Sequence, residues 1–224
     1  MSRERWAEVD RYLTALLVES DQALEAALEA SGAAGLPRHE VTPSQGKLLH
    51  LLARIQRAET ILEIGTLGGY STIWLARALP PGGSLITLEA DPRSAEVARA
   101  NLARAGLAGI VEVRVGPAQE TLRELASESR APFDLIFLDA DKQSHAEYLA
   151  WSLELSRPGT LIVADNVVRA GQVVDGESDD PRVQGVRSFF ELLCGESRLS
   201  ATAVQTVGAK GHDGFALALV GDRR

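Results

Sequence analysis

The chain has 224 residues, 45% of them hydrophobic, and sets 23 Lys and Arg against 31 Asp and Glu for a formal net charge of −8. This length and composition suit one well-buried α/β domain and exclude wholesale disorder. The acidic balance argues against nucleic acid and anionic lipid as partners; no apolar run approaches the ~18 residues of a membrane span, and the charged stretch Met1–Glu8 lacks a signal-peptide core, so a soluble cytoplasmic protein is expected.

From Trp6 to Ala30, apolar residues recur at helical spacing: Val9, Leu13, Leu16, Leu17, Leu24 and Leu28. The pattern predicts one or two amphipathic helices that stop in Ser31–Pro37, a stretch with two glycines and a proline. A loop from Arg38 to Thr42 leads to Pro43 and a further helix carrying Leu48, Leu49, Leu51, Leu52 and Ile55. From Thr60 onward, short apolar runs alternate with helical stretches. The runs Thr60–Gly65, Ser84–Glu89, Ile110–Val115, Asp134–Asp139 and Thr160–Asp165 predict a parallel sheet with helices on both faces. Trp74 and Trp151 fall on apolar helix faces and are expected in the core. The one cysteine, Cys194, follows Leu192 and Leu193 and is expected to be buried among them. Two last strands, Ser200–Val207 and Phe215–Val220, flank a turn around Lys210–Gly214, so one edge of the sheet should be antiparallel. No repeat or low-complexity linker divides the chain, and one domain spanning 1–224 is expected.

The first strand runs into Glu63-Ile64-Gly65-Thr66-Leu67-Gly68-Gly69-Tyr70-Ser71. Glycines here allow a sharp turn and close approach of the backbone to a ligand next to a helix N-terminus. A dinucleotide fingerprint would put a second glycine two residues after Gly65, where Leu67 stands. Glu89 ends the second strand, 24 residues after Gly65, where a carboxylate can accept hydrogen bonds from both hydroxyls of a ribose. Together these features indicate an adenosine-containing cofactor, and leave open whether it is S-adenosyl-L-methionine (SAM) or NAD.

The fourth strand ends in Asp139-Ala140-Asp141-Lys142 and the fifth in Asp165-Asn166. Adjacent parallel strands would bring these ends to about 5 Å from each other. Two carboxylates and an amide oxygen suit a hard divalent cation, Mg²⁺ foremost, with Ca²⁺ or Mn²⁺ as alternatives. No histidine or thiol joins the group, which argues against zinc. The alternative is that these acids only cap the helices that follow. A lysine beside a divalent cation can act as a general base, because the neighbouring charge disfavours the ammonium form; Lys142 stands in that position, or else pairs with Asp141 at the surface. None of His39, His50, His145 and His212 has ligand spacing with another.

At these residues the sequence resembles the cation-dependent class I O-methyltransferases, the group of catechol and caffeoyl-CoA O-methyltransferases. The resemblance runs from about Val41 to the C-terminus. It is carried by Leu62–Ser71, Asp139-Ala140-Asp141-Lys142 and Asp165-Asn166-Val167-Val168. It implies a Rossmann-like α/β fold with a seven-stranded, mostly parallel sheet whose last strand is antiparallel. Residues 59–224 would form this core, and the helical segment 1–58 would cover the site. It further implies that Glu63, Gly65 and Ser71 contact the methionine part of SAM, that Glu89 holds the ribose, that Ala118 lies against the adenine, that Val41 closes over the cofactor, and that Asp141 sits close to it. Asp139, Asp165 and Asn166 match the metal ligands, and Lys142 matches the catalytic lysine. The implied chemistry is in-line displacement at the SAM methyl by a hydroxyl of a small catechol-like acceptor. Members of the group are commonly homodimers, and the N-terminal segment has more apolar positions than a lone surface helix needs, so a homodimer with this segment near the interface is expected.

The sequence departs from the group at Arg187-Ser188-Phe189-Phe190, where many relatives carry Asn in the last position. The loops expected to choose the acceptor are Arg38–Val41 and Val167–Pro181. Four of the six residues from Asp175 to Asp180 are acidic and should repel a phosphorylated handle, favouring free catechols over coenzyme A esters, with Arg169 and Arg182 flanking the run and Arg38 on the other loop as partial offsets. The rivals are an NAD-dependent oxidoreductase, which calls for the missing Gly-x-Gly turn; a nucleic acid N-methyltransferase, which calls for an Asn/Asp-Pro-Pro-aromatic run after the fourth strand; and a SAM-binding module without catalysis.

Overall fold

The computed structural model describes residues 2–128, 130 and 132–222; Met1, at the head of the charged N-terminal stretch, lies outside the described residues. Three helices come first: α1 (Arg3–Leu17), α2 (Gln22–Ala33) and α3 (Pro43–Gln56). Seven strands follow, β1 (Thr60–Ile64), β2 (Ser84–Glu89), β3 (Val111–Val115), β4 (Phe133–Leu138), β5 (Ser156–Asp165), β6 (Leu199–Gly208) and β7 (Gly211–Val220). Between them lie α4 (Tyr70–Ala76), α5 (Pro92–Arg104), α6 (Ala118–Ser127), α7 (His145–Glu154) and α8 (Pro181–Gly195). Three helix starts share one device, a capping side chain followed by proline in the first turn: Thr42-Pro43, Asp91-Pro92 and Asp180-Pro181. The cap satisfies free N–H groups, and proline loses nothing there because its position needs no donor.

The seven strands form one sheet in the order β3-β2-β1-β4-β5-β7-β6. β1 to β5 are mutually parallel; β7 runs antiparallel between β5 and β6. The last strand is thus antiparallel, as the resemblance implied, with β6 outside it as the edge. Alternate side chains of each strand enter opposite cores, because strand periodicity is two. Leu62, Ile64, Ile136 and Leu138 pack with α6, α7 and α8, whereas Ile61, Leu135 and Phe137 pack with α2, α3 and α4. The order reverses between β1 and β4: from β1 the chain moves outward to β3, then crosses back to β4. Such a switch point opens a crevice beyond the carboxyl ends of the two strands. Here it sets Gly65, after β1, beside Asp139, after β4, with Asp139 N–H donating to Ile64 O at 2.8 Å.

Several boundaries differ from those expected. The α2 helix continues through Gly32 to Ala33 before Gly35 turns the chain at φ 72°. β5 starts four residues early, and its pairing with β4 jumps from Phe133↔Ser156 to Leu135↔Leu161; Pro158 and Gly159 sit in that irregularity, ahead of the apolar run that begins at Thr160. The β6–β7 ladder closes at Gly208↔Gly211, so only Ala209 and Lys210 form the turn. Trp74 is buried as expected, and Trp151 is half-buried against the core. Cys194, expected to be buried, is exposed. The buried stripe of α8 runs Val183, Val186, Phe189, Leu193, and the next residue is turned by about 100° from it.

Candidate active site

A cleft of about 1510 Å³ lies over the switch point. The glycine turn forms one wall. Gly65 has φ 106°, and a Cβ there would come within 2.5 Å of the Asp139 carbonyl oxygen, so no other residue allows β1 and β4 to end this close. Leu67 adopts φ 49°, the left-handed conformation usually left to glycine. Its N–H, which a phosphate-binding turn would offer to a ligand, is taken by Glu89 Oε2 at 2.7 Å. Glu89 Oε1 accepts from Asp91 N–H at 2.9 Å, and the residue borders the cleft.

Glu63 does not border the cleft. It is fully buried behind the turn and accepts from Ser71 Oγ (2.6 Å), Thr72 Oγ1 (2.5 Å) and Thr87 Oγ1 (2.7 Å). Burial pushes its carboxyl up to about 7 despite these hydroxyls, and the charge of Asp139 adds to the rise. Ser71, which does border the cleft, stands between Glu63 and any ligand. Val41, in the loop between α2 and α3, and Ala118, at the start of α6, complete this wall.

Across the cleft, Asp139 follows Leu138 of β4, which pairs with Ala164, the residue before Asp165. The two carboxylates therefore lie side by side, with Asp165 only 4% exposed. Burial and then the charge of Asp139 drive the Asp165 carboxyl well above the usual carboxylate range, against the pull of Lys142. Asn166 follows at φ 58°, a conformation asparagine tolerates better than most residues. Lys142 is buried, and its Nζ donates to Asp139 Oδ1 at 2.8 Å, rather than pairing with Asp141 at the surface. The lysine sits on a short 3₁₀ turn, Lys142–Ser144, against which α8 packs. Gly185 makes that contact possible: a Cβ there would lie 2.3 Å from Lys142 O. Among the described residues no group of three or more His, Cys, Asp or Glu side chains is arranged to hold a metal. Asp139, Asp165 and Asn166, the residues expected to hold a metal, all border the cleft.

Sequence reasoning gave no place at this centre to three residues, one of which, Arg169, it read only as a charge flanking the acidic run. Tyr148, on the first turn of α7, donates to Asp141 Oδ1 at 2.5 Å. Burial raises the Asp141 carboxyl, but hydrogen bonds from Ser144 and Tyr148 outweigh it and hold the group below the ordinary value. His145 is fully buried between the carbonyls of Asp141 (3.4 Å) and Asp165 (3.3 Å). Burial, with the Lys142 charge, pushes it down to about 3, so the ring is neutral and donates to one carbonyl at a time. The third is Arg169, which borders the cleft just past Asn166.

The acceptor loops are not arranged as their charge suggested. Arg38, His39, Glu40 and Val41 border the cleft, but none of Asp175, Glu177, Asp179 and Asp180 does. Asp180 instead caps α8 and pairs with Arg182 at 2.7 Å. Arg38, Arg169 and Arg182 border the cleft, so the loop charges at its edge are not those of the acidic run. Phe190, at the position where Asn was missing, packs edge-on against Phe189, outside the cleft.

The sheet order, the glycine turn and the cleft at the switch point define a Rossmann-like methyltransferase architecture. A sequence model of the family described as O-methyltransferase matches residues 16–219, and the chain belongs to that family. It is 52% identical over 220 residues to a catechol O-methyltransferase of Niastella koreensis, covering 98% of this chain and 100% of that one. An O-methyltransferase from Bacillus cereus, solved in complex with SAH, superposes with a TM-score of 0.97 at 55% identity, covering 98% of this chain and 100% of that one. TomG of Streptomyces achromogenes, an O-methyltransferase of tomaymycin synthesis solved with SAM, gives 0.96 at 53% identity, covering 99% and 100%.

Proposed function

We propose that this O-methyltransferase transfers the SAM methyl group to one hydroxyl of an aromatic vicinal diol, with a divalent cation at Asp139, Asp165 and Asn166. The observation that carries this reading is the meeting, in one cleft, of the glycine turn with a buried Lys142–Asp139 contact and a second carboxylate, Asp165. SAM fits the first wall. Each Glu89 oxygen has already accepted one backbone N–H, and a carboxylate offers about four lone-pair sites, so two remain for ribose hydroxyls. Gly65, Ser71 and Val41 would flank the methionine part, Ala118 the adenine, and the Asp141 carboxylate the positive sulfonium. Glu63 would act on the cofactor through Ser71 rather than by contact. The catechol O-methyltransferase from Niastella koreensis and the SAM-bound and SAH-bound relatives support this assignment.

The cation fits the second wall by its chemistry. Two adjacent carboxylates, one of them buried, carry more negative charge than the single Lys142 side chain offsets, and an all-oxygen set suits Mg²⁺ over softer metals. When bound, the cation would supply the positive charge that makes an acceptor hydroxyl more acidic. With that charge disfavouring its ammonium, Lys142 Nζ as the neutral amine, positioned by Asp139 Oδ1, would take the hydroxyl proton and become the ammonium, and the walls would align the acceptor oxygen with the methyl group. Methylation of catechols read by mass spectrometry, with and without EDTA, tests this: product should form with Mg²⁺ and vanish with chelator. Full activity in EDTA would refute the cation.

The same reading includes a homodimer formed through the N-terminal helices. The α1 helix has no buried residue; it is tied to the β6–β7 turn by Asp10, which accepts from Ala209 N–H at 2.7 Å. Tyr12, Leu16 and Leu17 are each more than 60% exposed, as is Ile55 on α3. Light scattering at micromolar concentration should give twice the chain mass; a monomer would count against it.

A further inference from the structure

The acceptor side of the cleft holds a guanidinium, that of Arg169, with no hydrogen-bonded acceptor among the described residues. Arg169 stands three residues past Asn166, where Arg169, Ala170 and Gly171 have φ of 55°, 56° and 88°. Left-handed backbone is unfavourable for residues with side chains and persists only where the surroundings impose it. Here Asp213 imposes it: its Oδ1 accepts from Val168 N–H (3.0 Å), Arg169 N–H (3.1 Å) and Gly214 N–H (3.0 Å). That oxygen is thereby committed to the backbone, while Oδ2 faces the Arg169 side chain. Its nearest approach to the Arg169 guanidinium is 3.9 Å, Oδ2 to Nη1, too long for a hydrogen bond. The side chain is only 21% exposed, and its Nε is buried with no hydrogen-bond partner among the described residues. Arg182, also at the cleft, differs: it is 59% exposed and grips both oxygens of Asp180. Asp213 thus pairs with Arg169 at ion-pair distance but leaves its planar fork, whose shape matches a carboxylate, without a hydrogen-bonded acceptor among the described residues.

We propose that Arg169 binds a carboxylate carried by the methyl acceptor, so that the preferred acceptor class is an aromatic vicinal diol bearing an acidic group. This rests on the acceptor proposed above. Asp139, Asp141 and Asp165 border the same cleft, so an anionic acceptor entering it needs such a cation. Arg169 is carried on the loop that begins at Asn166, so a carboxylate on its fork would fix the ring relative to the Asp165-Asn166 edge.

Calorimetric titration of the protein saturated with S-adenosylhomocysteine and Mg²⁺ tests the assignment, with 3,4-dihydroxybenzoate, its methyl ester and benzoate as probes. The acid should bind about tenfold tighter than the ester. Arg169→Gln should bring that ratio to about one by weakening the acid alone, and Arg169→Lys, which keeps the charge but loses the fork, should fall between. Equal binding of acid and ester by the wild-type protein, or an unchanged ratio in Arg169→Gln, overturns the proposal. If Arg169→Gln does not fold, the wild-type ratio and Arg169→Lys decide it. Failure of the diol reading looks different: benzoate would then bind as well as 3,4-dihydroxybenzoate, with Arg169→Gln weakening both.

Discussion

On the side of the cleft built by β1 and β2, the acids have their hydrogen bonds met from within the chain. Glu63 is satisfied by three hydroxyls and Glu89 by two backbone N–H groups. On the side built by β4 and β5, Asp139 and Asp165 lie next to each other, and the Arg169 fork has no hydrogen-bonded acceptor among the described residues. Internally satisfied groups keep their shape before a ligand arrives. Crowded like charges and a guanidinium without an acceptor are the pattern of a site completed by what it binds. The first wall is therefore read as a preformed cofactor bed, and the second as a surface finished by a cation and an acceptor.

The largest expected effect breaks the second wall and spares the first. Asp165→Ala should lower kcat/KM by at least about a hundredfold, while SAM affinity measured by calorimetry stays within about threefold. Near-normal turnover in this variant would mean that the carboxylates serve only the fold.

Next in size is a pH effect on the first wall. The folded Glu63 carboxyl is pushed up to about 7 from an ordinary value of 4.5, chiefly by burial. A group raised in this way contributes stability that is fully present below the unfolded value and is lost as pH rises through the folded one. Glu63→Gln removes the titration while keeping an oxygen that can accept from the hydroxyls. Relative to wild type, its unfolding free energy should improve by roughly 2–3 kcal/mol between about pH 5 and about pH 8. Chemical denaturation at several pH values reads this directly; a constant difference across that range would show that the carboxyl is not carrying the burial penalty.

These two walls were not equally legible. The cofactor bed is written in consecutive residues, since Gly65, Leu67 and Ser71 belong to one turn and Glu89 ends the next strand. Strand ends in a parallel sheet meet by topology alone, so the pairing of Asp139 with Asp165 also followed from the order of the apolar runs. Other features depend on three-dimensional placement that local sequence does not encode. The acidic run Asp175–Asp180 read as a barrier but is a helix cap and a loop tip, because Asp180 starts α8. Arg169 read as a flanking charge, yet its orientation is fixed by Asp213 from the far end of the chain. Gly185 carried no visible signal, although it lets α8 pack against the Lys142 turn. Cys194 was misjudged because neighbours in sequence were taken as neighbours in space, which a helix does not allow.

A third test sharpens the claim that the first wall is the cofactor bed. Glu89→Ala should weaken SAM binding by ~1–3 kcal/mol, the scale of losing charge-assisted hydrogen bonds. Part of that loss would come from Leu67, whose left-handed N–H would lose its acceptor. Calorimetry giving wild-type SAM affinity, or tighter binding of NAD than of SAM, would overturn the assignment of this wall.

The smallest effect is expected where the two walls meet, at Asp141. This residue follows β4 yet would face the cofactor, and Tyr148 Oη donates to its Oδ1 at 2.5 Å. Together with Ser144, Tyr148 holds the Asp141 carboxyl below its ordinary value, so the group is an anion throughout the working range. An anion fixed beside a sulfonium favours SAM, which is positive there, over the neutral thioether left after transfer. Tyr148→Phe removes the hydroxyl without changing the packing of a ring that is 2% exposed. The carboxylate stays charged but gains freedom to turn away, so the variant should lose about 1 kcal/mol of SAM affinity and much less for the thioether product. The quantity to read is the ratio of the two dissociation constants, since a general loosening of α7 would weaken both ligands alike. A ratio equal to wild type would show that Tyr148 only packs, and that the charge of Asp141 is held in place by the 3₁₀ turn alone.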